Sequence, residues 1–303
     1  MKKVLYILIV VVSSMMGQTS SAQELLLSQE IFSRVNKNPA ATGNTDDIDI
    51  FLHGRIQWAG VEHGPKTTVL NVTDYEDAIR SGFGFSLSYD CIGIGHNTLN
   101  TKVAYSYQIN MKSHYILSLG LGAGVNIAGY DYSANTLAIE SERFEEEALT
   151  EKERKVSPDF DLGFELSNLY WTLGLSCTHL LNAKTTSLKT GRHIYLYGTS
   201  LFPLNEEFDL APTVSLMHHD KTNVVEIGSL AFYQRTFWGG ISWRPDFHSK
   251  MDPSMLVFTL GLERNRFRFG YSYDLGLGSK NLLPSNTHEI LLSYGVGKKR
   301  VNR

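Results

Sequence analysis

Only two cysteines, Cys91 and Cys177, occur in 303 residues. That excludes the disulfide framework that staples small exported domains. A single bond between them is left open by the sequence, but it would need close geometry, and the simpler reading is two unpaired thiols. After the N-terminal segment the chain has no run of about twenty uninterrupted apolar residues, so it offers no spanning helix. If it crosses a membrane, it does so with the strands of a closed barrel. Charge of either sign is not in excess, at a net −3, and no basic stripe is interleaved with aromatics, so nucleic acid is excluded as a partner. No Pro- or Ser-rich linker divides the chain after its N-terminal segment, which points to one domain.

The first residues carry an export signal. Lys2 and Lys3 precede the apolar run from Val4 to Val12, and Ser20-Ser21-Ala22 stand before Gln23. The run is too short to be kept as a spanning helix, so residues 1–22 read as a cleaved signal peptide. Residues 23–47 follow as a non-strand segment, because Asn38-Pro39-Ala40-Ala41-Thr42-Gly43 punctuates it with turn residues. A short helical turn and a folded loop are expected there.

From residue 48 onward the dominant signal is alternation with period two. In 97–126, Leu99, Thr101, Val103, Tyr105 and Tyr107 share one face while Asn100, Lys102, Ala104, Ser106 and Gln108 share the other. After a polar turn, Tyr115, Leu117, Leu119, Leu121, Ala123 and Val125 oppose Ser118, Gly120, Gly122 and Gly124. The same two-faced pattern returns in Phe83, Phe85, Leu87 and Tyr89, in Phe160, Leu162, Phe164 and Leu166, and in Phe267, Phe269, Tyr271 and Tyr273. About fourteen such strands are counted, an even number as in bacterial outer-membrane barrels. Long connections (127–158, 179–192, 245–254, 275–287) alternate with short ones (168–169, 203–207, 264–265), with 73–81 a longer exception. This asymmetry is that of short periplasmic turns and long outer loops. The fold expected is an all-β, up-and-down antiparallel transmembrane barrel over 48–303, preceded by a periplasmic or plug segment.

Candidate chemistry is sparse. His53, His63, His179 and His193 have no neighbouring nucleophile motif, so catalysis is not expected. His218-His219-Asp220 reads as a solvated hairpin turn rather than a metal site, because adjacent side chains on extended backbone diverge. Gly120 to Gly124 lacks the Lys-Ser/Thr ending of a phosphate loop. No cofactor is expected. Charges of both signs fall on the inward face, at Asp90, Lys102, Asp161, Glu165, Arg244, Glu263, Arg266 and Arg268. They could line a diffusion channel, or pair with one another and with the N-terminal segment to close it. In the longest connection, 138–155 is rich in Glu, Ala, Leu, Lys and Arg and prefers helix. There Glu142, Phe144, Glu146 and Lys152 are candidate contacts for a partner outside the cell.

Several motifs combine into a resemblance. Ser28-Gln29, Phe32, Asn38-Pro39-Ala40-x-x-Gly43, Arg55-x-Gln57-Trp58-x-Gly60 and Gly64-Pro65-x-Thr67 resemble the N-terminal signature of the PorP/SprF family. Asp90-x-Ile92-Gly93, Tyr105-Ser106-Tyr107, Gly270-Tyr271-x-Tyr273-Asp274 and His288-Glu289-Ile290 extend the likeness across the mature chain. Ser33 to Lys37 is polar where that family commonly has aromatic and apolar residues, and Ala41 stands where a Tyr often follows. The resemblance implies a non-enzymatic outer-membrane protein linked to type IX secretion and gliding. Its partners would be type IX secretion components, a large exported cell-surface protein such as an adhesin, or both, with outer-membrane lipid around it. It marks Asn38, Pro39, Gly43, Arg55, Gln57, Trp58, Gly64 and Pro65 as partner-binding or structural residues. The alternative is an outer-membrane channel for small solutes or apolar ligands.

Overall fold

The computed structural model describes residues 27–45, 47–93, 95–131, 152–181, 191–219, 222–245, 254–277 and 286–297. Residues 1–22, expected to be a signal peptide, and Glu142, Phe144 and Glu146 lie outside these residues. The strands are β1 (Ile48–Gln57), β2 (Lys66–Glu76), β3 (Ser81–Ile92), β4 (His96–Asn110), β5 (Ile116–Asp131), β6 (Lys152–Ser167), β7 (Trp171–Thr178) and β8 (His193–Ser200). They continue as β9 (Phe202–Pro203), β10 (Phe208–His219), β11 (Thr222–Tyr233), β12 (Phe237–Arg244), β13 (Ser254–Arg264), β14 (Phe267–Leu277) and β15 (Thr287–Val296).

Each strand of the ring pairs antiparallel with the next, β8 pairing with β10 past the short β9, and β1 pairs with β15 to close the ring. The result is a closed 14-strand barrel, with β9 an extra short strand against the start of β10. Closure removes the free sheet edges that would otherwise expose unpaired backbone.

The barrel is inside-out relative to a soluble core. Val103 (60 % exposed), Leu121 (57 %) and Leu260 (57 %) point outward, whereas Ser106, Asp161 and Thr259 are buried within. Such a distribution is stable only if lipid, not water, bathes the outer face. Tyr105, Tyr107, Phe208, Tyr233, Phe237 and Phe267 are exposed near the short turns, where an interfacial aromatic girdle belongs.

Four expectations change in detail. The ladder of β5 and β6 runs out to Asp131 and Lys152, pairing Ala128 with Lys155, so residues 152–155 are strand and not helix. Cross-strand pairing overrides their helix-prone composition, and Lys152 is the first residue of β6. Second, β2 extends to Glu76, which shortens the exceptional connection to 77–80. Third, His218 and His219 belong to β10, not to a turn. His219 is buried and its ring stacks on His193, centroids 3.8 Å apart. Fourth, Pro203, expected in the connection 203–207, pairs with Asp209 as part of β9. Cys91 and Cys177 are both free thiols.

Candidate functional site: the segment inside the barrel

Residues 27–45 lie within the ring and fold as three 3-10 turns, Glu30–Phe32, Arg34–Asn36 and Pro39–Ala41. Asn38 caps the last of these. Its Oδ1 accepts the Ala40 N–H at 2.9 Å, and Pro39 occupies the first helical position, where a missing N–H is harmless.

The wall is shaped to receive this turn. Gly120 faces the Ala40 backbone, Gly163 faces Asn38 and Gly82 faces the Thr42 carbonyl, each so closely that an added Cβ would collide. The inward glycines are therefore a groove for backbone. Gly43 adopts φ +73°, and a Cβ there would lie 2.7 Å from Gly82 Cα and 2.8 Å from the Asp74 carbonyl oxygen. Both the left-handed conformation and the space demand glycine.

Polar contacts hold the same stretch. Asn38 Nδ2 donates to the Phe164 carbonyl and to Tyr197 Oη, each at 3.0 Å. Ser106 Oγ donates to the Thr42 carbonyl at 2.6 Å, and Ser176 Oγ to that of Lys37 at 2.5 Å. Glu165, 1 % exposed, accepts from Tyr197 Oη at 2.5 Å and Asn44 Nδ2 at 2.9 Å, and Arg34 Nε lies 3.2 Å from it. Burial works against the Arg34 charge, but Glu165 outweighs it and raises the guanidinium pKa above its ordinary value. Asn71 Nδ2 donates to Asn36 Oδ1 at 2.8 Å.

A second cluster surrounds Ser28. Inward positions of β1, β11, β12, β14 and β15 supply His53, Arg55, Glu226, Arg244, Asp274 and Glu289. Arg55 lies 3.1 Å from Glu289 and 3.4 Å from Asp274. Arg244 lies 2.6 Å from Glu226 and 3.1 Å from Asp274, and His53 Nε2 is 3.1 Å from Glu289. Ser28 Oγ stands 2.7 Å from Asp274 and 3.0 Å from Glu289, donating to one, and accepts from Arg244 Nη2 at 2.9 Å. The wall charges are thus paired among themselves, as buried charges must be.

Between the two clusters Phe32 packs on Trp238, ring centroids 4.8 Å apart, with the Arg268 guanidinium 4.7 Å over its ring. Trp238, Ala211 and Leu230 form an apolar patch inside the wall, joined by Ile31 and Phe32.

The structure divides the expected residues. Asn38, Pro39 and Gly43 lie in the wedged turn, whereas Arg55 lies in the second cluster, holding Asp274 and Glu289, the partners of Ser28. Gln57, Trp58, Gly64 and Pro65 instead shape the far connection after β1. There the Gln57 N–H donates to the Pro65 carbonyl at 2.9 Å, and a Cβ on Gly64 would lie 2.6 Å from the Gln57 carbonyl oxygen. Of the charges expected inward, Glu165, Arg244 and Arg268 meet the segment, whereas Arg266 lies in the turn before β14, where the ladder has not begun, and its exposed side chain pairs with Asp47 at 3.3 Å. Arg268 also pairs with Glu263 at 2.7 Å, Asp90 accepts from Thr67, and Lys102 lies 2.8 Å from Asp161 and 2.9 Å from Asp159. Sequence reasoning misses Ser28, Asp274, Glu289 and Glu226 as site residues, although three of the quoted motifs contain Ser28, Asp274 and Glu289. His63 sits in the connection 58–65, and His179 lies 2.8 Å from Asp159. Among the described residues, no group of three or more His, Cys, Asp or Glu is arranged to hold a metal ion.

A family profile described as "Type IX secretion system membrane protein PorP/SprF" matches residues 19–294. No curated protein sequence matches the chain. Among solved structures, the Pseudomonas putida toluene transporter TodX superposes with a TM-score of 0.56 at 10 % identity, over 86 % of this chain and 93 % of that one. A Pseudomonas aeruginosa FadL homologue gives 0.51 at 11 % identity, over 85 % and 92 %. These likenesses concern the barrel fold.

Proposed function

Taking as premise that the chain belongs to the PorP/SprF family of type IX secretion system membrane proteins, we propose that it is a plugged, non-enzymatic barrel assisting an exported partner. In this reading residues 1–22 are removed on export, 23–47 form the plug and 48–303 the barrel. The partner is a large cell-surface protein such as an adhesin, which the barrel helps to secrete or to hold at the surface. The observation that carries the plugged reading is the fit of residues 38–43 into grooves at Gly82, Gly120 and Gly163 that leave no room for a Cβ. A general diffusion pore has no use for a lumen filled in this way.

The long connections 58–65, 132–151, 179–192, 245–253 and 278–286 share one end of the barrel, and that end faces the medium. Glu142, Phe144, Glu146 and Lys152 are proposed to contact the partner there. Crosslinking in intact cells, followed by purification of the barrel from outer membranes, should recover an exported surface protein or type IX components. Recovery of neither would overturn the assignment. A second reading, a channel for small solutes, has in its favour a cavity of about 50 Å³ beside the plug, lined in part by Thr213, Ser215, Ser242 and Thr259. Steady single-channel conductance of the unmodified protein would favour it over a plug.

A further inference from the structure

We propose that the plug is a two-part device in which residues 34–45 are a fixed anchor and residues 27–33 a movable arm that gates the lumen. This rests on the plugged reading above.

The two parts are held in different ways. The anchor sits against Gly82, Gly120 and Gly163 and is the partner of Glu165, Ser106, Ser176, Asn71 and the Phe164 carbonyl. Withdrawing it would leave those buried groups without the bonds they make now, an unfavourable state in an enclosed lumen. The arm is held by Ser28 and by the face of Phe32. If Ser28 leaves, Arg55 keeps Asp274 and Glu289, Arg244 keeps Glu226 and Asp274, and His53 keeps Glu289. Every ion pair of the wall persists without it, and the hydrogen bonds given up are those of Ser28 to Arg244 Nη2 and to the two carboxylates, so the latch can open with little electrostatic penalty.

The arm also borders free space on the lumen side. One side of it rests on the wall, with Gln29 Oε1 hard against Gly270. Its other side, through Ser28, Gln29, Ile31 and Phe32, borders a cavity of about 50 Å³, room for a few water molecules, which Arg34 and Lys37 also line and whose wall includes Thr213, Ser215, Leu230 and Thr259. Leu230 continues the apolar patch on which Phe32 now rests, so the ring can slide without leaving apolar surface. Gln29, 2 % exposed, has neither amide atom hydrogen-bonded to protein. A buried amide with both ends unsatisfied is poorly settled, whereas the hydroxyl-bearing side of the cavity offers it partners. Movement of the arm away from β14, β15 and β1 would open a polar path along the Arg55 and Glu289 wall.

Single cysteines at Gln29 and at Thr42, each in a Cys91→Ser/Cys177→Ser chain folded into lipid vesicles, test this division. Both positions are equally buried. With a water-soluble methanethiosulfonate, the cysteine at 29 should label at least about tenfold faster than that at 42, because local opening governs access. Equally slow labelling would overturn the gate and leave the plug standing. Equally fast labelling would overturn both the gate and the plugged reading. Amide hydrogen exchange on the unsubstituted protein removes any effect of the cysteines themselves. The Ser28 N–H, bonded to Glu289, should exchange faster than the Thr42 N–H, bonded to the Pro39 carbonyl; the reverse order would sink the proposal.

Discussion

The Ser28 backbone N–H donates to a Glu289 carboxylate oxygen at 2.8 Å, joining two residues 261 positions apart. The contact ties the inner segment to the last strand of the ring, and it separates two kinds of stability. Ser28→Ala removes one hydroxyl but leaves every ion pair of the wall in place, a loss of about 1–3 kcal/mol borne by the segment. Glu289→Ala removes a counter-charge from buried Arg55, which costs about 3–5 kcal/mol when one partner of such a pair is lost. In urea titrations of lipid-folded protein, read by heat-modifiable gel migration, Glu289→Ala should lower the barrel's midpoint and Ser28→Ala should barely move it. Equal effects would mean that Ser28 is integral to the wall network.

Gly43→Val should release the segment and spare the barrel. A β-branched residue in the left-handed region loses roughly 1–2 kcal/mol, and its Cβ would also meet Gly82 Cα at 2.7 Å. Limited proteolysis of the folded protein should then cut within residues 27–45, while the heat-modifiable band persists. Protection equal to the unsubstituted chain would show that the segment tolerates displacement at this point.

How much of this was legible in the sequence follows from the range of the interactions. Strand faces repeat every two residues, so the outward row of Phe267, Phe269, Tyr271 and Tyr273 could be read locally, and with it the ring. Asp274 and Glu289 are not among the inward charges read from that alternation, and no local pattern brings them to Ser28, because that meeting depends on closure between β15 and β1. Residues 152–155 failed in the opposite direction. Their composition favours helix, yet the ladder with β5 supplies cross-strand bonds that composition does not encode. Alternation puts Gly120 on the face opposite the apolar row; that it admits Ala40 is visible only in the fold.

Orientation is open to a direct test. The connection 58–65 lies at the end where the long connections gather, and 168–170 and 265–266 lie at the other. In otherwise cysteine-free protein, a cysteine replacing Glu62, whose side chain is 90 % exposed, should react with an impermeant maleimide in intact cells. Cysteines replacing Leu169 or Asn265 should react only after the outer membrane is permeabilised. Labelling of Asn265→Cys in intact cells would invert the barrel.

A pair of glycines separates wedge from wall. Gly163 and Gly54 both lie in strands, where alanine and glycine differ by about 1 kcal/mol or less in backbone terms, so the two Gly→Ala changes are matched for intrinsic preference. Their surroundings are not matched. A Cβ on Gly54 meets nothing within 4 Å, whereas one on Gly163 would collide with Asn38 Oδ1 and lie 3.0 Å from Asn38 Cγ and Pro39 Cδ. Gly163→Ala should therefore push Asn38 off the Phe164 carbonyl and Tyr197, unseat the turn it caps, and give channel openings in planar bilayers. Gly54→Ala should stay as closed as the parent chain. If Gly163→Ala is also closed, the groove yields to a methyl group, and close fit no longer explains how the lumen is sealed.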